Sequence, residues 1–420
     1  MTQHSNRIFA ERGLDRAAID AEMADHRAKD RRWNELKNLR AAYDGGDDVT
    51  SVANAAFLAQ IGDNMIYSSS AYPSLRQHEQ GVVAMVGEML NAPEGAVGSI
   101  TTGGTESILM AVKTARDWAR ATKPCVTQPE MIVPRTAHAA FTKAGDLLGV
   151  KVVRMAESPG YRADLEGMTR AINANTIMLV GSAPPYPYGL VDPLSGLSAL
   201  AVEHELWLHV DGCVGGFVLP FVRELGHEVP SFDFLLPGVA SMSADLHKYG
   251  YSGRGASVLM IRSEILAKYQ GFHFDAWPAG VYYTANIAGS RNGGAIASSY
   301  AVMRYLGRVG YRERVAAMLE SKRRIGEGLE RIGGLGILGK PEGTHFYIVS
   351  DAMDMYALGD GLNDRGWLFL RGKEPRAIQL QLNARHSAIV DEFLTDVGEV
   401  AARVQAGMVK SRGVGPVYIT

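Results

Sequence analysis

Between about residue 97 and residue 262 the chain alternates short apolar runs with amphipathic stretches. MIVP (131–134), VKVVRM (150–155), TIMLVG (176–181), LWLHVD (206–211) and ASVLMI (256–261) are brief, β-branched and bounded by breakers, the pattern of buried strands. Between them, AAFTKAGDLLG, DLEGMTRAIN and LSGLSALAVEHE carry apolar positions at helical spacing. VASMSAD reads as one further strand. Such alternation predicts a mostly parallel sheet with helices on both faces.

The flanks differ. DRAAIDAEMADHRAKDRRWNELKNLR, with Trp33, Leu36 and Leu39 as its apolar positions, predicts a helical arm lying across another surface, and AAYDGGDD breaks it at Gly45 and Gly46. A helix near 75–90 follows Pro73. Residues 271–294 read as a loop, followed by helices over 295–307 and 311–332. THFYIVS, a helix near 354–365, WLFLR, AIQLQL and a last helix near 387–407 predict a smaller C-terminal α/β domain. The expected divisions are an N-terminal helical arm (1–70), a large α/β domain (71–310) and a small one (311–420). No internal repeat or low-complexity linker is present.

Composition narrows the class. With 420 residues, 46% hydrophobic and 21% charged, the chain can bury a core of several layers. A net charge of −2 speaks against a sequence-independent grip on nucleic acid or an anionic membrane. No run approaches the roughly 20 apolar residues that span a bilayer, and MTQHSNRIFAERGLDR lacks the apolar segment of a secretory signal. Cys125 and Cys213 make no disulfide framework and fit a reducing compartment. The expectation is a cytoplasmic protein. HELWLH (204–209) is not HExxH and reads as strand, so no metal site is expected.

Four places could carry chemistry. TTGGTESILMAVKTA (101–115) sets Gly103, Gly104 and Thr105 before an amphipathic helix, where free N–H groups and the helix dipole favour an anion. An ordinary glycine turn with Thr105 near the cap explains the same residues. Asp211 ends LWLHVD at the C-terminal end of a strand, where open α/β sheets bind ligands; GCVGG after it leaves room for a flat object. A loop or cap acid is the plainer reading. Lys248, behind His247 in SMSADLHKYGY, could be a solvated side chain or a partly desolvated nucleophile. His138 opens a helix after MIVP and could cap it or stack on a ring. Together an anion cradle, a ring histidine, an aspartate and a lysine meet the needs of pyridoxal 5′-phosphate. There is no GxxxxGK[ST] and no well-placed GxGxxG to support an ATPase or dinucleotide site.

The order TTGGTES, TAHAAFTKAG, LHVDGCVGGF, SMSADLHKYGY resembles the fold-type I pyridoxal-phosphate enzymes of the group II decarboxylase superfamily. HVDGCVGGFVLPF, SADLHKYGYSGRGAS and WPAGVYYTANIAGSR are most similar to sphingosine-1-phosphate lyases and their bacterial relatives. The resemblance runs from about 70 to 310 and implies an aspartate aminotransferase-like fold with a mostly parallel central sheet and a smaller C-terminal α/β domain. It implies Lys248 as the Schiff-base lysine, Asp211 as the partner of the pyridinium nitrogen and His138 stacked on the ring. Gly103, Gly104 and Thr105 would hold the phosphate, with His247 and Ser243 beside it. Gly289 and Ser290, in AGSR, would act in the neighbouring subunit's site, which implies an obligate homodimer embraced by the arm.

Such a lyase breaks the Cα–Cβ bond of a β-hydroxy amine in a retro-aldol step and releases an aldehyde. Tyr249, Tyr251 and Tyr282 are candidate proton relays by chemistry alone. Arg254 stands where the lyase motif usually carries a lysine for the substrate phosphate, and Ser68 replaces a histidine of the substrate wall in MIYSSSAYPSLR. The family's Ser-Thr-Pro is Ser182-Ala183-Pro184 here. The alternatives are an amino-acid α-decarboxylase of the same fold and a non-catalytic descendant.

Overall fold

The computed structural model describes residues 12–413. They fall into two compact units, one ending at Glu35 and one starting at Leu36. In the first, helix α1 (Arg16–His26) is capped by Asp15, whose carboxylate accepts from the Ala18 amide, and one 3-10 turn (Arg27–Lys29) follows. α1 buries none of its residues. The helix expected to run through residue 40 therefore stops early. Leu39 lies instead in extended chain: its amide donates to Leu368 O (2.7 Å) and its carbonyl accepts from the Gln381 amide (2.9 Å). Tertiary pairing has overridden the helical spacing.

The second unit opens with helices α2 (Asp47–Ala59) and α3 (Pro73–Met89). Asp47 and Asp48 sit in the first turn of α2, complementing its dipole; AAYDGGDD thus ends no arm but starts a helix. Seven strands form the main sheet: β1 (Val97–Thr101), β2 (Glu130–Pro134), β3 (Lys151–Met155), β4 (Thr176–Ser182), β5 (Trp207–Asp211), β6 (Val239–Ala244) and β7 (Ser257–Ile261). Their order is β1-β7-β6-β5-β4-β2-β3, with β7 antiparallel to both neighbours and the other pairs parallel. β2, β4, β5, β6 and β7 are buried along their whole length, which is why they read as unbroken apolar runs.

Helices α4 (Gly104–Thr122), α5 (Ala140–Leu148), α6 (Leu165–Ala171), α7 (Leu194–Glu203), α8 (Leu219–Glu224) and α9 (Glu264–Ala267) link these strands or follow them. Residues 271–294 are no plain loop. They hold a two-stranded antiparallel hairpin, β8 (Phe272–Trp277) with β9 (Gly280–Thr284), which joins no other sheet. All of β8 is exposed, so its alternating aromatic residues have no core of their own to mark them as strand.

α10 (Gly293–Ile332) spans both helices expected there and bends at Gly307 (φ 53°, ψ −173°). A second sheet follows, antiparallel throughout: β10 (Gly336–Ile337), β11 (His345–Val349), β12 (Leu370–Gly372) and β13 (Ala377–Gln381), in the order β10-β11-β13-β12. Helix α11 (Met355–Asp364) packs on β13, and α12 (Val390–Gln405) packs on α11 and α10. The two sheets fall on either side of the expected boundary at 310, but inside one compact unit. Among the described residues no helix is long and apolar enough to cross a membrane, and no cluster of side chains could hold a metal ion.

Candidate active site

β1, β5 and β6 run in the same direction, so Thr101, Asp211 and Ala244 all end at one edge of the sheet. The segments leaving those ends enclose a cavity of about 370 Å³, in the size range of a small-molecule site. Six residues singled out from the sequence as a set line it: Gly103, Gly104, His138, Asp211, His247 and Lys248. Thr105 and Arg254 line it as well.

The start of α4 explains both glycines. Gly103 is the cap (φ 151°), a conformation that disfavours a side chain, and a Cβ there would stand 3.3 Å from His247 Cε1. A Cβ on Gly104 would meet both Asp245 carboxylate oxygens at 2.8 Å and Cys213 Sγ at 2.9 Å. Thr105 lies inside the first turn and not at the cap. The bare backbone therefore offers the unpaired N–H groups of a 19-residue helix to the cavity.

Asp211 is held by a buried series of donors. Trp207 Nε1 donates to Ser241 Oγ (2.8 Å), which leaves that hydroxyl's own proton for His209 Nδ1 (2.8 Å). His209 then carries its proton on Nε2, 3.3 Å from Ser243 Oγ, and Ser243 donates to Asp211 Oδ1 (3.4 Å). The Cys213 amide donates to the same oxygen (3.0 Å). Burial pushes His209 down to about 4, so the ring is neutral and keeps this direction at neutral pH. Ser243 thus stands behind Asp211. It lines no part of the cavity, which corrects its expected place beside a phosphate.

Lys248 Nζ lies 2.8 Å from Asp245 Oδ2. Burial disfavours the ammonium, but Asp245, with Tyr43 and Cys213 beyond it, holds it well above the ordinary lysine range. Burial likewise works against the charge of Asp245, and Lys248 and His247 overcome it, so this carboxyl sits below the usual range. His247 accepts from the Ala256 amide at Nδ1 (3.2 Å), leaving Nε2 toward Asp245 at 3.8 Å. His138 accepts from the Ala140 amide at Nδ1 (3.1 Å), which fixes its ring at the cavity wall. Loss of solvent lowers its pKa first, with Lys248 adding to the effect against Asp211 and Asp245.

Other expected residues lie elsewhere. Tyr249 is buried and its hydroxyl donates to Leu382 O (2.8 Å), so it lines no part of the cavity and its proton is already committed. Tyr251 is also buried, stacked on Tyr311 with ring centroids 6.1 Å apart. Ser68, Tyr282 and Gly289 line a second cleft of about 1200 Å³, beside the hairpin. Ser290 accepts from Asn64 Nδ2 there (2.9 Å). None of these four lines the first cavity. A Cβ on Gly289 would meet the Tyr282 hydroxyl at 2.6 Å, which explains that glycine.

The sequence reading missed Tyr43, Tyr186, Cys213 and Asp245, all of which line the cavity. Asp245 stood in plain view three residues before Lys248, where helical spacing brings i and i+3 together. Tyr43 gave no signal, because its approach depends on the extended pairing of residues 37–39. Gln381 Nε2 donates to the Tyr43 hydroxyl (3.1 Å), and Gln381 Oε1 accepts from the Ala41 amide (2.6 Å) and from Tyr186 (3.4 Å). Burial pushes the Tyr43 phenol up.

The family described as pyridoxal-dependent decarboxylase conserved domain matches residues 11–342. The chain belongs to this pyridoxal-dependent decarboxylase family. It is 41% identical over 354 residues to sphingosine-1-phosphate lyase of Oryza sativa, covering 83% of this chain and 65% of that one. To sphingosine-1-phosphate lyase 1 of Rattus norvegicus it is 36% identical over 410 residues, 97% of this chain and 72% of the other. Among solved structures, sphingosine-1-phosphate lyase of Burkholderia pseudomallei superposes with a TM-score of 0.91 at 37% identity, covering 96% of this chain and 94% of that one. The chain spans about 65% of the length of the rice and Arabidopsis thaliana lyases it matches.

The cofactor of the family is pyridoxal phosphate, and the residues present fit it. The glycine start of α4 would take the phosphate, Asp211 the ring nitrogen, His138 a face of the ring and Lys248 the aldehyde carbon. Asp211 receives both of its hydrogen bonds on Oδ1, leaving its other oxygen for a pyridinium N–H.

Proposed function

We propose that the protein is a pyridoxal-phosphate-dependent carbon–carbon lyase that cleaves the Cα–Cβ bond of a phosphorylated β-hydroxy amine to give an aldehyde. The observation that carries this reading is the 37% identity to a bacterial sphingosine-1-phosphate lyase over 96% of the chain. A cation at the cavity mouth supports the anionic substrate: Arg254 is exposed there, donating to Ala41 O (3.0 Å) with its guanidinium over the Tyr43 ring. Planar guanidinium binds phosphate in two-point fashion.

When bound, the cofactor supplies an electron sink for the pair released from the breaking bond. The chain's own residues do the rest. Asp211, oriented by the Trp207–Ser241–His209–Ser243 series, would keep a proton on the ring nitrogen. Tyr43 would donate a hydrogen bond to the substrate oxygen and so orient it: its own oxygen accepts from Gln381, its hydrogen is left for the cavity, and the raised pKa keeps it a phenol, a donor and not the base. It takes the place at the cavity expected of Tyr249 and Tyr251.

The second cleft and the hairpin support a homodimer. Phe272, Phe274, Trp277, Val281 and Tyr283 are all exposed on one hairpin, more apolar surface than a lone subunit keeps in water. A partner subunit seated there would cover it and bring Ser68, Tyr282, Gly289 and Ser290 toward a neighbouring cavity. Ile19 and Met23 of α1 are exposed too, as an arm clasping a partner requires. The two unpaired cysteines suit a reducing, cytoplasmic setting.

Incubating the loaded enzyme with a phosphorylated sphingoid base and with a panel of amino acids tests the reading. Aldehyde release from the former, abolished in Lys248→Ala, is the expected result. Carbon dioxide release from an amino acid without aldehyde would replace the lyase by an α-decarboxylase.

A further inference from the structure

The anion cradle at the start of α4 contains an anion of its own. Asp245 is 1% exposed, and both its carboxylate oxygens lie 2.8 Å from the point where Gly104 would carry a Cβ. Oδ2 pairs with Lys248 Nζ. Oδ1 is buried without any hydrogen-bond partner. Ser257 Oγ is close enough to favour the Asp245 carboxylate, but it donates to Ala244 O (3.3 Å) and pairs with Ser107 Oγ (2.9 Å). A buried carboxylate oxygen without a hydrogen-bond partner is costly unless something arrives to use it.

The group that would arrive is a phosphate, and its arrival would also draw Lys248 away from Asp245. In the open site Lys248 is the strongest positive influence on Asp245, followed by His247. With Lys248 engaged by the cofactor, its nitrogen would leave the 2.8 Å pairing with Asp245. A phosphate held at the bare Gly103–Gly104 backbone would stand beside a carboxylate whose oxygens lie 2.8 Å from the Gly104 Cβ position. The remaining groups facing Asp245 do not resolve this. His247 and His138 are both held below the ordinary histidine range, Cys213 is a thiol pushed well up by burial, and Tyr43 is a neutral phenol. Glu106 of α4, also on the cavity wall, is engaged by donors from Thr102, Ile287 and Ala288. Two anions in contact are relieved by one proton.

We propose that the phosphate group enters this site together with one proton from solvent, held between an Asp245 carboxyl oxygen and a phosphate oxygen. Asp245 is then a hydrogen-bond donor to the cofactor, and its role changes from ion-pair partner of Lys248 to acid of the cradle. No bond is broken beyond a proton transfer. The proposal rests on the cofactor of the family and is independent of which substrate bond is cleaved.

The experiment compares pyridoxal 5′-phosphate with pyridoxal, which lacks the phosphate. Both are titrated calorimetrically into resolved apoenzyme between pH 7 and 8.5, in two buffers of different ionisation enthalpy, to count protons. In the wild type the phosphate-bearing ligand is expected to take up about one proton more per site than pyridoxal. In Asp245→Asn and Asp245→Ser that difference should vanish while pyridoxal phosphate still binds. The ratio of wild-type to variant Kd should climb about tenfold per pH unit. A wild-type difference of zero overturns the proposal whatever the variants do. So does a folded Asp245→Asn or Asp245→Ser protein that retains the extra proton or cannot bind pyridoxal phosphate.

Discussion

Lys248 and Asp245 depend on each other for their charges. Removing the lysine alone leaves a carboxylate that is almost fully buried, and breaking such a pair costs more than deleting both members. We therefore expect Lys248→Ala to lower stability by about 3 kcal/mol and Lys248→Ala/Asp245→Asn to recover most of it. Urea unfolding of the two apo variants, followed by far-UV circular dichroism, measures this. A double variant less stable than the single one would contradict the pairing. At this scale the sequence disclosed what sits directly after a strand. Asp211 ends β5 and Lys248 follows β6, and the apolar runs announced both strands. It could not disclose Tyr43, which lies far upstream and reaches the cavity only because Leu39 pairs with residues near the other end of the chain. Nor could it separate Ser243, which serves Asp211 from behind, from a residue on the cavity wall.

Among the elements, the strands of the main sheet were legible because burial on both faces leaves a continuous β-branched run. The hairpin was not, because its apolar side chains face outward and its turn is rich in glycine and proline. Two elements give direct tests. Gly307 sits within α10, where an alanine ordinarily helps a helix by up to about 1 kcal/mol. Here the backbone adopts φ 53° and ψ −173°, so alanine is expected to cost about 1–3 kcal/mol. Beyond its own chain neighbours and local helix backbone nothing lies within 4 Å of the new Cβ, so the loss would come from the backbone conformation and not from a packing clash. Chemical denaturation of Gly307→Ala gives the sign. On the hairpin, Trp277→Asp should leave the fold intact and convert a dimer to monomer, read by sedimentation velocity. An unchanged sedimentation coefficient would remove the hairpin from the interface.

At the scale of the whole molecule, buried histidines set the acid limit. His209, His345 and His386 are each pushed down to about 4 by burial. Unfolded, each would titrate near 6.5. Their stabilising contribution is therefore full above about 6.5 and is lost as the pH falls toward 4. Asp192 acts the other way: burial raises it to about 6, so between 4 and 6 the folded chain holds a proton that the unfolded chain releases. Three histidine protons against one carboxyl proton leave a net uptake of about two on unfolding, or about 3 kcal/mol per pH unit between 6 and 4. Thermal unfolding of the apoenzyme across that range should show a steep fall in Tm. A Tm that stays flat from 6.5 to 4.5 would contradict the neutral, buried state of these rings.

The pairing of Leu39 with Leu368 and Gln381 also constrains the order in which a growing chain can finish. Residues 97–261 carry the main sheet and leave the ribosome well before residue 381. Tyr43 waits: the Gln381 side chain that engages its hydroxyl, across a separation of 338 residues, is made near the end of synthesis. Closing a loop of that length in an unfolded chain costs on the order of 5 kcal/mol; closing it across an already folded sheet costs far less. The cavity wall is thus sealed last, and a nascent chain stalled before β13 would have its lysine and its sheet but an open, unfinished pocket.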